Sequence, residues 1–165
     1  MPEEGAISIN TSPLIALVAA WGDLTRLEAL YQEVWVPVEV CQEILQGGTS
    51  GFAIAEFEQA TWLRKPKTPL DISPFLLNSL DLGEAAVIQL ALDRQIATAC
   101  IDEAVGRRVA RLSGLKLTGS VGILLKAKQQ DPSLSIRVAI ENMLKQNIRL
   151  SQTVINFALT QSGEG

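Results

Sequence analysis

Two short apolar runs, residues 6–9 and 96–101, each end on a polar side chain with an oxygen to offer: Asn10 after the first and Asp102 after the second. If both runs are strands of one parallel sheet, the two oxygens share the edge beyond the carboxyl ends of the strands, where open α/β sheets hold their ligands. Glu84 opens the most apolar stretch of the chain, residues 85–92, where an unpaired carboxylate is costly to bury. Glu43 lies on the helical stretch after Pro37. Acidic and amide oxygens gathered in this way suit a hard divalent cation such as magnesium, which could polarise a phosphodiester, orient it and lower the pKa of an attacking water. Each residue also has a plain local reading. Asn10 could make an Asx turn, Asp102 could cap the helix that starts at Glu103, Asp81 and Glu84 have the spacing of a capping box, and a lone Glu43 could face solvent.

The remaining composition narrows the chemistry. The 165 residues include no histidine, which removes Ser-His-Asp and Cys-His nucleophile pairs, histidine-ligated zinc and imidazole acid–base catalysis. Cys41 and Cys100 sit in apolar surroundings at no metal-ligand spacing and read as buried free thiols of a reducing, cytoplasmic compartment. A net charge of −4 argues against a generally basic nucleic-acid binder, yet residues 104–130 carry six basic side chains and no acidic one: Arg107, Arg108, Arg111, Lys116, Lys126 and Lys128. Such a run is either a solvated helix face or a phosphate-contacting surface. Gly119-Ser120-Val121-Gly122 adds backbone donors and a hydroxyl at a helix start, where phosphate is welcome. Gly114 and Gly119 have the glycine spacing of a P-loop, but Ser120-Val121 stands where Lys-Ser/Thr is required, so a nucleoside-triphosphate site is excluded.

The elements that must position these groups follow from periodicity and punctuation. Residues 6–9 read as a strand, Ser12-Pro13 as the start of a helix, residues from Asp23 as a second helix, and 34–36 as a second strand. Pro37 opens a helix stopped by Gly47-Gly48, another helix spans roughly 51–60, and 64–72, with Pro66 and Pro69, reads as an ordered loop. A nearly all-apolar, hence central, helix starts at Asp81-Leu82-Gly83-Glu84. Strands at 96–101 and 115–118 alternate with helices at 103–112 and 119–128, and helices near 134–145 and 151–160 complete the chain. Strands separated by helices imply a parallel sheet with helices on both faces and right-handed crossovers. The length fits one domain over residues 1–165, and the amino-terminal stretch reads as neither a signal peptide nor a membrane span.

The wording and order of the motifs carry a resemblance. Asn10-Thr11-Ser12-Pro13-Leu14-Ile15, Val36-Pro37 with Glu43-Ile44, Gly83-Glu84-Ala85-Ala86-Val87-Ile88, Ile101-Asp102-Glu103, Arg107-Arg108-Val109-Ala110 and the run from Gly114 to Lys128 together resemble a prokaryotic PIN-domain branch related to VapC-type toxins. The resemblance covers about residues 6–160. It implies a three-layer α/β/α sandwich with a mainly parallel central sheet, magnesium- or manganese-dependent endoribonuclease activity, frequent homodimers and often a small antitoxin protein that blocks the site. By position it implies Asn10, Glu84 and Asp102 as metal ligands, Glu43, Glu84 and Asp102 as the catalytic acids, and Ser120 as the polar residue of the glycine turn. Arg107, Arg108 and Lys126 are the basic residues read as steering an RNA backbone. The chain departs from the pattern in two places: the family normally has aspartate where Asn10 stands, and commonly a second aspartate where Glu103 stands.

Three functional expectations result. The first is a metal-dependent RNA hydrolase of the VapC type. The second, motivated by the neutral Asn10, is a PIN domain that binds RNA or a protein partner without cutting. The third is an α/β domain that takes a small phosphorylated ligand at the same edge.

Overall fold

The computed structural model describes residues 4–47 and 51–165. Four parallel strands form one sheet in the order β2-β1-β3-β4, with β1 at Glu4–Ile9, β2 at Tyr31–Trp35, β3 at Thr98–Cys100 and β4 at Lys116–Thr118. In register Ile9 pairs with Cys100, and Cys100 with Thr118, so the carboxyl ends of the three strands that precede Asn10, Asp102 and Ser120 lie level. Helices α1 (Thr11–Trp21), α2 (Thr25–Leu30), α8 (Ser120–Gln130), α9 (Ile136–Lys145) and α10 (Gln152–Gln161) pack together on one face. On the other lies α6 (Leu82–Asp93), with α3 (Val38–Leu45), α5 (Pro74–Ser79) and α7 (Ala104–Leu112) against it. The short α4 (Ile54–Gln59) completes the elements. This is the α/β/α sandwich with a parallel centre that the alternation of runs predicts.

Helix α6 is central, as its composition demands. Ala85, Ala86, Val87 and Ile88 are wholly enclosed, and the Ser8 hydroxyl donates to Val87 O at 2.8 Å, clipping the helix to β1. Burial of this many apolar side chains at ~25 cal/mol per Å2 is the main force that holds α6 and its leading turn against the sheet. The carboxyl group of Asp81 caps it, accepting from Glu84 N at 2.9 Å.

Several boundaries differ from the expectations for identifiable reasons. Asn10, not Ser12, is the N-cap residue of α1, so Pro13 falls at the third helical position, still inside the first turn where no intrahelical N–H is needed. Strand β2 begins at Tyr31, directly at the end of α2, and stops before Val36, whose N–H donates to Arg64 O at 2.8 Å. The loop around Arg64 thus runs alongside β2 by a parallel bridge at Trp35, and further on it is tied down by Leu70 N on Glu39 Oε2 and Ser73 N on Gln89 Oε1. Residues 96 and 97 leave β3 because Ile96 N still closes α6 on Ala91 O, with Gln95 at a φ of 57°. Helix α5 was not anticipated, although Ser73-Pro74 has the same Ser-Pro start that marks residues 12–13; the Ser73 hydroxyl accepts from Leu76 N. Gly48, half of the expected stop of α3, and the first three residues lie outside the described residues. Cys41 and Cys100 are free and buried, and among the described residues no helix is long and apolar enough to cross a membrane.

Candidate functional site

The edge at the carboxyl ends of the strands gathers oxygen. Asn10, held by its N–H on Cys100 O at 3.1 Å, is only 6% exposed, and its Oδ1 has no hydrogen-bond partner. Glu84 in the first turn of α6 is 4% exposed, and its Oε2 also lacks a partner. Buried polar atoms in folded proteins are nearly always satisfied, so these two unpartnered oxygens are the first candidates for ligands of a bound group. The other buried orphans among the described residues are Thr11 Oγ1, next to Asn10, and Glu39 Oε1, whose Oε2 is already used by Leu70 N.

Two glycines let the backbone close around these oxygens. A Cβ on Gly106 would fall 2.6 Å from Glu84 Oε2, so only glycine lets α7 sit on that carboxylate. A Cβ on Gly83 would lie 3.1 Å from Glu43 Oε2 and 3.2 Å from Asn10 Oδ1, which brings Glu43, Asn10 and the head of α6 to one spot. Glu43 itself is exposed, and so has an oxygen at the site and access to water.

Asp81, Glu84 and Glu103 each offer an oxygen within 4.8 Å of the others. Burial of the Glu84 carboxyl, followed by the nearby charge and shared hydrogen bond of Asp81 and the charge of Glu103, pushes its pKa up to about 7. Like charges at this spacing repel, and a cation among them removes the conflict; the cluster, with the orphaned Glu84 Oε2 and Asn10 Oδ1, fits a hard, oxygen-seeking divalent ion. Asp81 thus caps α6 and is also one of the three acids whose oxygens meet.

The other expected residues are distributed more widely. Asp102 is exposed at the end of β3, where its Oδ1 accepts from Ser120 N at 2.7 Å, and it is not one of the three acids whose oxygens meet. Ser120, 3% exposed, begins α8, so the glycine turn gives its first free N–H to Asp102. Arg107 directs Nη1 to the backbone carbonyls of Ile101 and Thr118 at 2.8 and 3.1 Å, which ties the ends of β3 and β4 together beside the site. Arg108 is exposed on α7. Lys126 is not brought to this edge: its Nζ lies 5.6 Å from the centroid of the Tyr31 ring, at the amino end of β2. Lys128 pairs with Glu164 at 3.3 Å. The basic run of residues 104–130 is thus divided among different places, not assembled into one patch.

Asp81 and Glu103 join Glu84 although their sequence positions predict only a helix cap and a departure from the family pattern. The available signal was their spacing: Asp81 and Glu84 share one turn of α6, and Glu103 follows Asp102 at the level of that turn. A family model described as PIN domain matches residues 6–164. No curated protein matches the chain. With a parallel four-stranded sheet, helices on both faces, an acidic cluster beyond the strand ends and a family match over nearly its whole length, the chain belongs to the PIN-domain family.

Proposed function

We propose that this protein is a divalent-metal-dependent endoribonuclease, hydrolysing phosphodiester bonds at the edge where β1 and β3 end. The observation that carries the reading is Glu84: buried, with its Oε2 unpartnered, and one of three acids whose oxygens lie within 4.8 Å of one another. Glu84, Asp81 and Glu103, with the amide oxygen of Asn10, are the groups that would hold magnesium or manganese. Such an ion supplies Lewis-acid polarisation of the phosphoryl group and neutralises charge that develops on it. Asp81 and Glu103 supply the negative charge that Asn10 lacks relative to the usual aspartate. Glu43 would accept a proton from an attacking water; its oxygen close to Asn10 Oδ1 and its exposure to solvent support that role. Asp102 fixes the turn into α8 through Ser120 N and stays available as a further ligand through its second oxygen. Arg107 holds the site's frame, and the exposed Arg108 is the residue of this pair left to meet an RNA backbone.

The motif wording supports the VapC-type branch of the family, with a small antitoxin protein and a homodimer, and the two free, buried cysteines support a cytoplasmic setting. One observation favours a second reading: Asn10 carries no charge, so a domain that binds RNA or a protein without cutting has the same fold and a weaker ion site. The two separate on cleavage of a labelled single-stranded RNA with magnesium or manganese and with chelator. The nuclease cuts only with metal, loses cutting on Asp102→Ala and cuts faster on Asn10→Asp; a rate indifferent to metal and to both substitutions contradicts it.

A further inference from the structure

Beside the acidic edge lies a second feature that hydrolysis of a phosphodiester does not itself require. A cleft of about 500 Å3 opens between the turn into α8 and the joint of α9 with α10, with Asp102 and Ser120 on one wall and Arg149, Val154 and Phe157 on the other. Phe157 is 54% exposed and Val154 is 36% exposed. An aromatic ring left open to water on a short C-terminal helix, facing a concave wall, has area to cover. Arg149 is exposed, and no carboxylate pairs with it among the described residues.

We propose that this cleft seats an unpaired base of single-stranded RNA, with the Phe157 ring as its stacking face and Arg149 on the neighbouring phosphate. The inference rests on the nuclease reading for the strand's path only: Asp102 lines the cleft and stands at the strand-end edge, so a chain with its phosphate at that edge has the cleft beside it. The mixed lining decides the occupant. An apolar peptide would cover Phe157 but leave the Arg149 guanidinium without an anion, whereas a nucleotide brings a flat apolar face and a negative charge together. The volume falls in the range of a small-ligand pocket, and bases splayed from a single strand onto aromatic and arginine planes are the usual way in which proteins read RNA. A base held within a duplex is not free to stack on Phe157, so the cleft would distinguish single strands from duplexes.

The experiment is fluorescence anisotropy of a short labelled single-stranded RNA, in chelator and again with calcium, for the wild type, Phe157→Leu, Phe157→Trp and Arg149→Gln. Leucine keeps the apolar volume and the helix but loses the flat face. Phe157→Leu is expected to weaken binding about tenfold with the salt dependence unchanged, since one stacked base is lost, and Phe157→Trp to retain it. Arg149→Gln is expected to weaken binding and to lower the salt slope by about one. An RNA duplex of the same length should bind Phe157→Leu and wild type alike. Equal binding of single strands by wild type and Phe157→Leu overturns the proposal, as does absence of wild-type binding in both conditions. A change of oligomeric state in Phe157→Leu with RNA affinity untouched assigns the cleft to a second copy of the chain, and also overturns it. Binding that follows the predicted pattern without any cleavage keeps the base site and removes the nuclease reading, so the two fail separately.

Discussion

Glu164, near the carboxyl end of the chain, and Glu84, at the head of α6, are both carboxylates placed at a helix start, in surroundings that differ in almost every respect. Glu164 reaches across to the first turn of α9, where Ile136 N donates at 2.7 Å, the Ser135 hydroxyl at 2.9 Å, Arg137 N at 3.3 Å and Lys128 Nζ at 3.3 Å. Burial raises its pKa, but the bonds from Ile136, Ser135, Arg137 and Lys128 outweigh that and bring it down to about 2. Glu84 has one orphaned oxygen and two acidic neighbours, and its pKa rises to about 7. A carboxylate that completes the fold brings its partners with it. Glu84 is buried with one oxygen unpartnered and two acids beside it, the surroundings that a cation would complete.

The contrast is broken most severely at Glu84. Glu84→Gln should reduce metal-dependent RNA cleavage on the order of 100-fold or more, since removal of even a supporting group costs ~10 to 100-fold. In the metal-free protein at pH 8 the same variant should unfold at an equal or higher temperature than the wild type, because an unpaired buried charge has been removed. A lower melting temperature would place Glu84 among the structural acids. Next in size is Asp81→Asn, which keeps the N-cap and removes the charge. It should lower manganese affinity by roughly tenfold with the urea midpoint unchanged; a fall in midpoint with affinity intact would return Asp81 to its capping role alone. Glu164→Gln should do the reverse, costing about 1 kcal/mol in urea unfolding, as the loss of a helix cap does, with manganese affinity unaltered.

The same contrast governs the pH dependence of the metal-free protein, where the two acids work in opposite directions. Between 4.5, the ordinary glutamate value, and about 7, the unfolded chain has released the Glu84 proton and the folded protein has not, so stability falls as pH rises through this window. Glu164 is held below its ordinary value, so its contribution is fully present above 4.5 and is lost as pH falls towards about 2. Thermal melts from pH 3 to 8 should therefore show a maximum near the ordinary glutamate range, and saturating manganese should flatten its alkaline side. A profile that rises steadily to pH 8 without metal would contradict the Glu84 assignment.

The parts legible in the sequence were those with a local cause. A strand ending on Asn10, a strand ending on Asp102 and an apolar helix opened by Asp81 and Glu84 follow from periodicity and capping, and they fix the edge at which the site lies. What required the third dimension was the grouping within that edge. Asp102 and Glu103 are neighbours in sequence, yet the first turns to Ser120 N while the second meets Asp81 and Glu84. Charge runs are equally blind to direction: Arg107 bonds strand-end carbonyls, Lys126 lies over Tyr31 at the far edge and Lys128 serves Glu164. The Phe157 cleft had no sequence signal beyond the apolar run of α10, because it joins segments separated by dozens of residues.

Calorimetric titration of manganese into the wild type and into Glu84→Gln at pH 8, where Glu84 is mostly ionised, bears most directly on the claim that the orphaned carboxylate marks a cation site. The wild type should bind manganese saturably, and Glu84→Gln should bind it at least 100-fold more weakly or without measurable heat. Equal affinity in the two proteins, or no binding by the wild type, would contradict the account.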